Sequence, residues 1–300
     1  MDLKKTGFVA IVGRPNAGKS TLLNALIGEK LAIVSRKPQT TRNRITGILT
    51  KGGTQYVFMD TPGMHSPKTR LGDRMIDAVR DTVMGVDAAI LVVEPTPHPG
   101  EIEIGLIETL KRNGLPVILA VNKIDRTNPQ AIGDTIKAYS EIYNFAAVVP
   151  VSALKGKGVD ELLCETDSFM SEGEWLFPED ALTDQPERVI ASEIIREKLL
   201  RTLDDEIPHG TAVVIEEFRE EKSLLSIRAE IFCEKSSHKG IIIGKGGASL
   251  KLIGSRARED MERFFGMKVY LDLWVKVKEN WRNSDVLLNN LGFAKEKTEL

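Results

Sequence analysis

Short apolar runs alternate with helix-like segments through the first half of this 300-residue chain. The runs are rich in β-branched residues and nearly free of charge, which is typical of strands buried on both faces of a parallel sheet. The alternation therefore predicts an α/β domain whose strands are joined by crossover helices. The predicted strands are Phe8–Val12, Tyr56–Met59, Ala88–Val93, Val117–Val121 and Ala147–Val151, and the predicted helices are Ser20–Leu26, Leu71–Met84, Glu101–Asn113 and Pro129–Tyr143. A further strand over Arg44–Thr50 is expected to form a hairpin with residues 56–59, because Gly52-Gly53 supplies the turn.

The pattern changes after about residue 170. Glycines, prolines and aspartates break up residues 173–186, which we interpret as a linker. The sequence then predicts an amphipathic helix, two strands, a helix, a glycine-rich loop, a long helix and a final strand. The predicted domains are thus 1–172, which is mostly parallel sheet with helices on both faces, and 187–300, which is α+β. The clearest elements of the second domain are Glu187–Leu203, Thr211–Phe218, Leu224–Phe232 and Lys268–Lys278.

Composition excludes several classes of protein. The net charge is −2, from 41 basic and 43 acidic residues, which argues against a histone-like basic protein and against an acidic, disordered chain. Two cysteines are too few for a disulfide framework or a four-cysteine zinc site and favour a reducing compartment. No apolar run approaches the roughly 18–20 residues that span a bilayer. We therefore expect a cytoplasmic protein. A monomer is also expected, although composition does not bear on that expectation.

Residues 13–20 fit the phosphate-loop pattern G-x-x-x-x-G-K-[ST]. They lie between a predicted strand and a predicted helix, where backbone N–H groups and the helix N-terminus favour a bound phosphate. Lys19 is expected to neutralise the β- and γ-phosphates, and the Ser20 hydroxyl to bind Mg²⁺. The alternative is an ordinary glycine-rich turn. The expected phosphate-binding residues are Gly13, Arg14, Pro15, Asn16, Ala17, Gly18, Lys19, Ser20 and Thr21.

Residues 122–125 favour guanine as the base. They read N-K-x-D and follow an apolar strand, at the edge of the sheet where ligands bind in α/β proteins. The Asp125 carboxylate can accept hydrogen bonds from guanine N1–H and the 2-amino group, neither of which adenine offers. By itself the pattern could also be a capped helix start, but after a phosphate loop it disfavours an ATPase. The expected base-binding residues are Asn122, Lys123, Ile124, Asp125, Ser152, Ala153 and Leu154.

A third motif lies between these two. Asp60 ends a strand and can hold Mg²⁺ through water, and the Gly63 N–H can meet the γ-phosphate. A Pro-Gly turn without a ligand is the alternative. The expected residues are Asp60, Thr61, Pro62, Gly63 and Met64.

The second domain carries a G-x-x-G sequence at residues 244–247, here called the G-x-x-G loop. Residues 235–258 contain six cations and no acid, although residues 187–300 hold 20 basic and 20 acidic residues. Such a local positive patch favours a nucleic acid partner, and the loop lets a sugar-phosphate backbone approach closely. A glycine-connected helix–turn–helix is the alternative. The expected RNA-binding residues are Lys239, Ile243, Gly244, Lys245, Gly246, Gly247, Lys251, Arg256 and Arg258.

The ordered motifs give a resemblance to known families. The first domain resembles a P-loop G domain of the translation-factor class, and the second resembles a type II KH domain. Their combination, with Ser192–Lys198 in the helix that enters the second domain, resembles the Era-like subfamily of bacterial GTPases over essentially the whole chain. The resemblance identifies Thr41 as the switch I threonine that completes the Mg²⁺ shell, with Thr40 as the alternative register.

The resemblance also implies partners and chemistry. It implies a slow, Mg²⁺-dependent GTPase with Lys19, Thr41 and Gly63 as catalytic residues, and binding to the 3′ end of 16S rRNA in maturation of the small (30S) ribosomal subunit. Met64 stands where Ras-like enzymes have the glutamine that orients water, so another group must do this work. Asn16 matches a position associated with bound K⁺ in related G proteins. Peripheral membrane association at the inner face of the cell membrane stays open.

Other expectations concern single side chains. Arg36, Arg42 and Arg44 are interpreted as solvated or partner-facing charges, and Trp274 as a core residue rather than a base-stacking one. A metabolic or signalling GTPase whose second domain binds protein is the competing hypothesis.

Overall fold

The chain is divided into two units. The computed structural model describes residues 4–35, 37, 40–64, 67, 69–204, 207–291 and 293. Contacts group residues of 1–66 and 75–184 into one unit, and residues of 67–74 and 185–300 into the other. The fold class is the predicted one, an α/β unit with a mostly parallel sheet followed by a smaller α+β unit. The boundaries 1–172, 173–186 and 187–300 stay a prediction.

The first unit is built on one sheet, with a central strand that lies parallel to both of its neighbours. The strand order is β2-β3-β1-β4-β5-β6, β2 is antiparallel to β3, and the two-residue β7 pairs with β1. The β2–β3 pair is the predicted hairpin. The elements are β1 Lys5–Gly13, α1 Lys19–Ile27, β2 Ile45–Lys51, β3 Thr54–Asp60, α2 Arg70–Met84, β4 Ala88–Val93, α3 Glu101–Arg112, β5 Val117–Val121, α4 Pro129–Ser140, β6 Ala147–Pro150, α5 Val159–Asp167 and β7 Ser171–Glu172.

Helices cover both faces of this sheet. On one face, side chains of α2, α3 and α4 pack on alternate residues of β1, β4 and β5 in one buried cluster. On the other face, α1 and α5 contact each other and the sheet. Strands covered on both faces must be apolar throughout, which is why the sequence shows continuous apolar runs rather than alternation. Helix α5 was not predicted, although Val159, Leu162, Leu163 and Thr166 are buried at helical spacing.

Strand register brings the ends of five strands to one edge. Gly13 pairs with Val92, Val93 with Val121, and Val121 with Pro150, so β1, β4, β5 and β6 end side by side. On the other side of β1, Ile11 pairs with Asp60. The residues that follow these strands therefore share the carboxyl edge of the sheet, where α/β proteins bind ligands.

The segment interpreted as a linker is hydrogen-bonded to the first unit as far as residue 183. The buried Gln55 side chain accepts hydrogen bonds from the N–H groups of Leu176 and Phe177 at 2.8 and 2.9 Å. Further along, the N–H of Ile48 donates to the Leu182 carbonyl at 2.9 Å, and the Thr183 hydroxyl donates to the Thr46 carbonyl at 2.6 Å. These contacts cover the otherwise exposed edge strand β2.

The second unit has the predicted order α-β-β-α-α-β. Its three-stranded sheet has the order β10-β9-β8, with β8 antiparallel and β10 parallel to β9. The helices α6, α7 and α8 contribute to one buried cluster with that sheet. The elements are α6 Glu187–Thr202, β8 Ala212–Glu221, β9 Leu224–Cys233, α7 Ser236–Ile243, α8 Ala248–Phe265, β10 Lys268–Val277 and α9 Asp285–Asn290.

Charges are buried inside the second unit, on a helix that the sequence predicts only to be amphipathic. Glu197 is fully buried and accepts hydrogen bonds from Lys198 at 2.7 Å and from Arg201 at 2.9 Å. Lys198 also contacts Asp260 of α8. Removing one member of such a buried network typically costs about 3–5 kcal/mol, because its partners stay buried and charged. The network ties α6 to α8.

Candidate functional site

The phosphate loop, residues 13–20, connects β1 to α1 as predicted. The Lys19 ammonium donates to the carbonyls of Gly13 and Arg14 at 3.1 and 2.9 Å, so the loop closes around its own cation. Lys19 is buried, and burial lowers its pKa to about 8 against the opposing effect of Asp60. A bound phosphate would favour the charged form of this lysine.

The side-chain oxygens of three residues meet beside this lysine. The Ser20 hydroxyl donates to Asp60 Oδ2 at 2.6 Å and lies 2.8 Å from the Thr41 hydroxyl, which itself lies 3.3 Å from Asp60 Oδ2. Burial raises the pKa of Asp60 to about 6, although Lys19 and the two hydroxyls oppose the shift. Asp60 Oδ1 is buried without a hydrogen-bond partner. Two hydroxyls and a carboxylate with an unused oxygen fit Mg²⁺, which prefers oxygen ligands.

The geometry distinguishes the two threonines that are candidates for the switch I position, Thr41 and Thr40. The Thr41 hydroxyl reaches Ser20 and Asp60, whereas the Thr40 hydroxyl donates to the Lys37 carbonyl at 2.7 Å. The structure thus brings Thr41, not Thr40, into the oxygen cluster. Arg42 is buried, which corrects its interpretation as a solvated charge. A charged residue type by itself predicts a solvated side chain, whereas burial depends on the fold. Arg44 is half-buried, and Arg36 lies outside the described residues.

The asparagine of N-K-x-D joins three segments. Asn122 follows β5, and its Nδ2 donates to the Ala17 carbonyl at 2.9 Å, while its Oδ1 accepts from the Ala153 N–H at 3.0 Å. Gly18 is required here, because a Cβ at its φ of +102° would lie 2.2 Å from Asn122 Nδ2. The asparagine therefore fixes the phosphate loop against the two loops predicted to bind the base.

The carboxylate predicted to select the base, that of Asp125, is held by a serine. Ser152 donates its hydroxyl proton to Asp125 Oδ1 at 2.6 Å, and this hydrogen bond is the main reason that the pKa of Asp125 is lowered. Asp125 is exposed and stays ionised at neutral pH. An ionised carboxylate can accept two hydrogen bonds from guanine but needs donors that adenine lacks. Leu154, two residues after Ser152, is 65% exposed.

The D-T-P-G segment lies against the phosphate loop. The Thr61 hydroxyl donates to the Ile11 carbonyl at 2.9 Å, and the Met64 N–H donates to the Gly13 carbonyl at 3.3 Å. A Cβ on Gly63 would lie 2.6 Å from Pro15 Cα, so Gly63 touches the loop itself. Met64 packs against the apolar cluster under α2 and α3, which agrees with a residue that does not handle water.

Two carboxylates beside this site were missed by sequence reasoning. Glu94 Oε1 lies 2.7 Å from the Lys123 ammonium, and Glu103 Oε1 lies 3.1 Å from Arg14 Nε. Neither belongs to a motif, although Glu94 directly follows a predicted strand. Their proximity to the site comes from the packing of β4 and α3.

The G-x-x-G loop connects α7 to α8 as predicted. Gly244, Gly246 and Gly247 all have positive φ, and a Cβ on Gly244 would lie 2.8 Å from Ser249 Cβ. Of the predicted RNA-binding cations, Lys245, Lys251, Arg256 and Arg258 are exposed and Lys239 is half-buried. Ile243 packs on the core beneath the loop. Exposed cations around a glycine loop suit a polyanion that lies across the surface.

Trp274 corrects another expectation. It is 57% exposed, and its indole N–H donates to Asp272 at 2.9 Å, so it is not a core residue. Strand β10 places alternate residues on opposite faces, with Val275 inward and Trp274 outward. The buried tryptophan is Trp281, whose N–H donates to the Gly210 carbonyl at 3.0 Å.

The geometry at the sheet edge defines a P-loop protein that binds guanine nucleotides. The GTPase Era of Ruminiclostridium cellulolyticum is 50% identical over 294 residues, 98% of this chain and 99% of that protein. The GTPase Era of Clostridium kluyveri is 51% identical over 290 residues, 96% of this chain and 99% of that protein. The chain therefore belongs to the Era family of GTPases.

Family models and solved structures agree with this assignment. Residues 8–123 match a family described as 50S ribosome-binding GTPase, and residues 206–282 match the KH domain family. Era in complex with MgGDPNP and nucleotides 1506–1542 of 16S ribosomal RNA is 39% identical, with a TM-score of 0.93 over 97% of this chain and 99% of that chain. A variant of Aquifex aeolicus Era bound to GDP and AlF4⁻ is also 39% identical, with a TM-score of 0.92 over 97% of this chain and 99% of that chain. Among the described residues, no helix combines the length and apolarity that crossing a membrane requires.

Proposed function

We propose that this chain is a GTP-binding and GTP-hydrolysing switch that binds the single-stranded 3′ end of 16S rRNA and acts in maturation of the 30S ribosomal subunit. The GTP-binding part of this proposal rests on one observation. The phosphate loop, the Ser20–Thr41–Asp60 cluster and the Asp125–Ser152 pair all lie at one edge of the sheet. The G-x-x-G loop with its exposed cations supports the RNA half. A relative of this family has been solved with both MgGDPNP and a 16S segment.

Each nucleotide-site residue has a chemical role in this proposal. Lys19 neutralises the β- and γ-phosphates, and the Gly63 N–H donates to the γ-phosphate. Ser20, Thr41 and Asp60 hold Mg²⁺, which neutralises charge that develops on the phosphate oxygens. Water attacks the γ-phosphorus, the bond to the β–γ bridging oxygen breaks, and GDP and phosphate leave. The Met64 thioether cannot orient that water, so we expect slow intrinsic hydrolysis.

Potassium is the proposed aid to hydrolysis. Asn16 lies in the phosphate loop at a φ of +65°, at the position that the family resemblance associates with K⁺. A monovalent cation there would add positive charge near the β- and γ-phosphates, where the departing oxygen becomes negative. Steady-state rates in KCl should exceed those in NaCl, and Asn16→Ala should remove the difference. Equal rates in the two salts would exclude this part of the proposal.

The switch would work through the segments around the γ-phosphate. GTP and Mg²⁺ contact Thr41 and Gly63, so we expect the bound nucleotide to order residues 33–44 and 60–70 and thereby alter RNA affinity. Hydrolysis would release that state and time an assembly step. Peripheral membrane association and a monomeric state are further proposals, which vesicle sedimentation and light scattering test.

The central experiment measures GTP hydrolysis and nucleotide affinity with and without an oligonucleotide from the 3′ end of 16S rRNA. We expect tight binding of this RNA, weak binding of a scrambled RNA, and loss of the preference in a Gly244→Asp/Gly247→Asp variant. A change in GTPase rate that the native RNA causes and the scrambled RNA does not would establish that RNA binding and GTP hydrolysis are coupled. If native and scrambled RNA bind equally and the double variant changes nothing, the RNA proposal fails and protein binding by the second unit becomes the better hypothesis.

A further inference from the structure

A carboxylate outside the nucleotide motifs holds the lysine of N-K-x-D. Glu94 Oε1 accepts from the Lys123 ammonium at 2.7 Å, and the same ammonium donates to the Asn16 carbonyl at 2.6 Å. One cation therefore joins three segments: the end of β4, the turn after β5 and the phosphate loop. Both side chains are partly buried, at 31% exposed for Glu94 and 25% for Lys123.

The sheet dictates this meeting. Val93 pairs with Val121 in adjacent parallel strands, so Glu94 and Asn122 leave the sheet side by side, and the Asn122 N–H donates to the Val93 carbonyl at 2.8 Å. Pro95 restricts the backbone of Glu94 to extended conformations. Glu94 therefore lies at the end of β4 with a restricted backbone. Lys123 reaches its carboxylate from the turn after the neighbouring strand, β5.

Asn16 and Lys123, which are joined by the ammonium–carbonyl hydrogen bond, both have unusual backbones. Asn16 and Lys123 adopt left-handed conformations with φ of +65° and +63°, and among the described residues Asn280 alone shares this property without being glycine. A left-handed backbone is unfavourable for a residue with a side chain, more so for lysine than for asparagine, unless its surroundings hold it. The Lys123–Asn16 hydrogen bond holds both, and Glu94 supplies the charge that keeps the ammonium there.

We propose that Glu94 is a positioning residue of the nucleotide site, which fixes Lys123 and through it the phosphate loop, and so slows release of guanine nucleotides. The inference rests on the proposed function and adds a residue to it. Glu94 acts through Lys123 and is not a catalytic residue. Without the carboxylate, the ammonium keeps one protein carbonyl and gains water, so the base-binding turn and the phosphate loop move more independently.

The consequence concerns binding more than chemistry. The oxygen cluster of Ser20, Thr41 and Asp60 is made by other hydrogen bonds, which do not involve Glu94. Loss of Glu94 should therefore raise the nucleotide dissociation rate and the KM for GTP, while kcat at saturating GTP stays close to that of the wild type. A defect in folding would lower the active fraction and leave KM unchanged.

The test uses the full chain and a fluorescent GDP analogue chased by unlabelled GDP. Removal of a partly buried charged hydrogen bond predicts that Glu94→Gln releases the analogue about tenfold faster. The matched control is Asp160→Asn, which removes the exposed Lys51–Asp160 ion pair of 3.1 Å in the same unit and should leave the rate within about twofold. Glu94→Asp, which keeps the charge on a shorter side chain, should fall between the wild type and Glu94→Gln.

A double-mutant cycle with Lys123→Met decides whether Glu94 acts through the lysine. In the Lys123→Met background, Glu94→Gln should have no further effect on release, because the ammonium that the Glu94 carboxylate binds is absent. An unchanged release rate in Glu94→Gln, or an equal effect in both backgrounds, overturns the inference. Failure of the wild-type chain to bind the analogue would instead refute the proposed nucleotide site. Should Glu94→Gln not fold, the same cycle is run with Glu94→Asp.

Discussion

Two glycine-rich loops that precede helices, the phosphate loop and the G-x-x-G loop, are built in opposite ways. The phosphate loop is held from several sides, by Lys19 within it and by Asn122 and Lys123 from the turn after β5. The G-x-x-G loop presents Lys245 and Gly246 to solvent, and a Cβ on Gly246 or Gly247 would meet no atom within 4 Å. A loop fixed on several sides suits a compact ligand that fits one geometry, whereas an open loop suits an extended polymer that lies across it.

The largest expected effect comes from breaking the fixed loop. Gly18→Ala places a Cβ against Asn122 Nδ2 in a left-handed backbone, so the loop or the asparagine must move. We expect the Kd for GDP to rise by roughly 100-fold. Titration of a fluorescent GDP analogue measures it.

Gly28→Ala is the matched control for that variant. Gly28 also has positive φ, at +82°, but a Cβ there would meet no atom within 4 Å. The control should lose about 1 kcal/mol of stability and keep its GDP affinity. Equal GDP affinities in the two variants would mean that fixation by Asn122 is unimportant.

The next effect changes the base that the fixed site selects. Asp125→Asn replaces an acceptor with a group that can donate to the 2-oxo group of xanthine. We expect GTP affinity to fall about 100-fold while affinity for the xanthine nucleotide rises. Competition binding measures both, with the exposed Asp134→Asn on α4 as control. Retained guanine selectivity would count against the assignment of Asp125.

A smaller effect is expected at the open loop. Gly247→Asp and Gly247→Asn differ only in charge, and both residues tolerate a left-handed backbone better than most. The aspartate variant should bind the rRNA oligonucleotide about fivefold more weakly than the asparagine variant, because its charge repels phosphates. Binding across a range of salt concentrations measures it. GDP affinity should be the same in both variants, and equal RNA affinities would remove this loop from the interface.

The smallest expected effect is on the free energy of unfolding and concerns Asp167, which belongs to neither loop. Asp167 accepts hydrogen bonds from Lys5, Thr54 and Tyr56 at 2.7–2.8 Å, and these bonds, that of Lys5 first, lower its pKa. A lowered folded-state pKa gives stability that is present above the unfolded value near 3.9 and lost as pH falls through the folded value. Asp167→Asn should therefore cost about 1 kcal/mol at pH 7 and progressively less below about pH 4. Urea unfolding across pH measures it, and a difference that grows on acidification would reverse the sign of this argument.

The sequence predicted the fold because a continuous apolar run by itself indicates a strand that is buried on both faces. Strands β1, β4 and β5 are covered on both faces and show no polar residue in their cores, so no partner had to be known. The phosphate loop, D-T-P-G, N-K-x-D and residues 152–154 were predicted to lie together for a related reason, since each lies at or just after the end of a strand and these strands end at one edge. Helix α5 was missed even though its buried residues recur at helical spacing.

Single side chains were harder to predict, because their environments depend on distant segments. Arg42 carries a charge and is buried, and Trp274 is apolar and exposed. Glu197 and Lys198 look like solvated helix charges until Asp260, about 60 residues away, is seen beside them. In each case the residue type suggests one environment and the packing of remote residues determines another.

The sequence by itself predicted two units, most of their order of elements and the residues that we propose bind phosphate, guanine, Mg²⁺ and RNA, because spacing along the chain encodes burial and loop position. Only the tertiary structure decided that Thr41 rather than Thr40 joins Ser20 and Asp60, and that Glu94 holds Lys123 against the phosphate loop. Both decisions turn on atoms within 3.5 Å of each other that belong to segments far apart in the chain. The pattern of residue types within one segment does not encode the distances between its atoms and those of a remote segment.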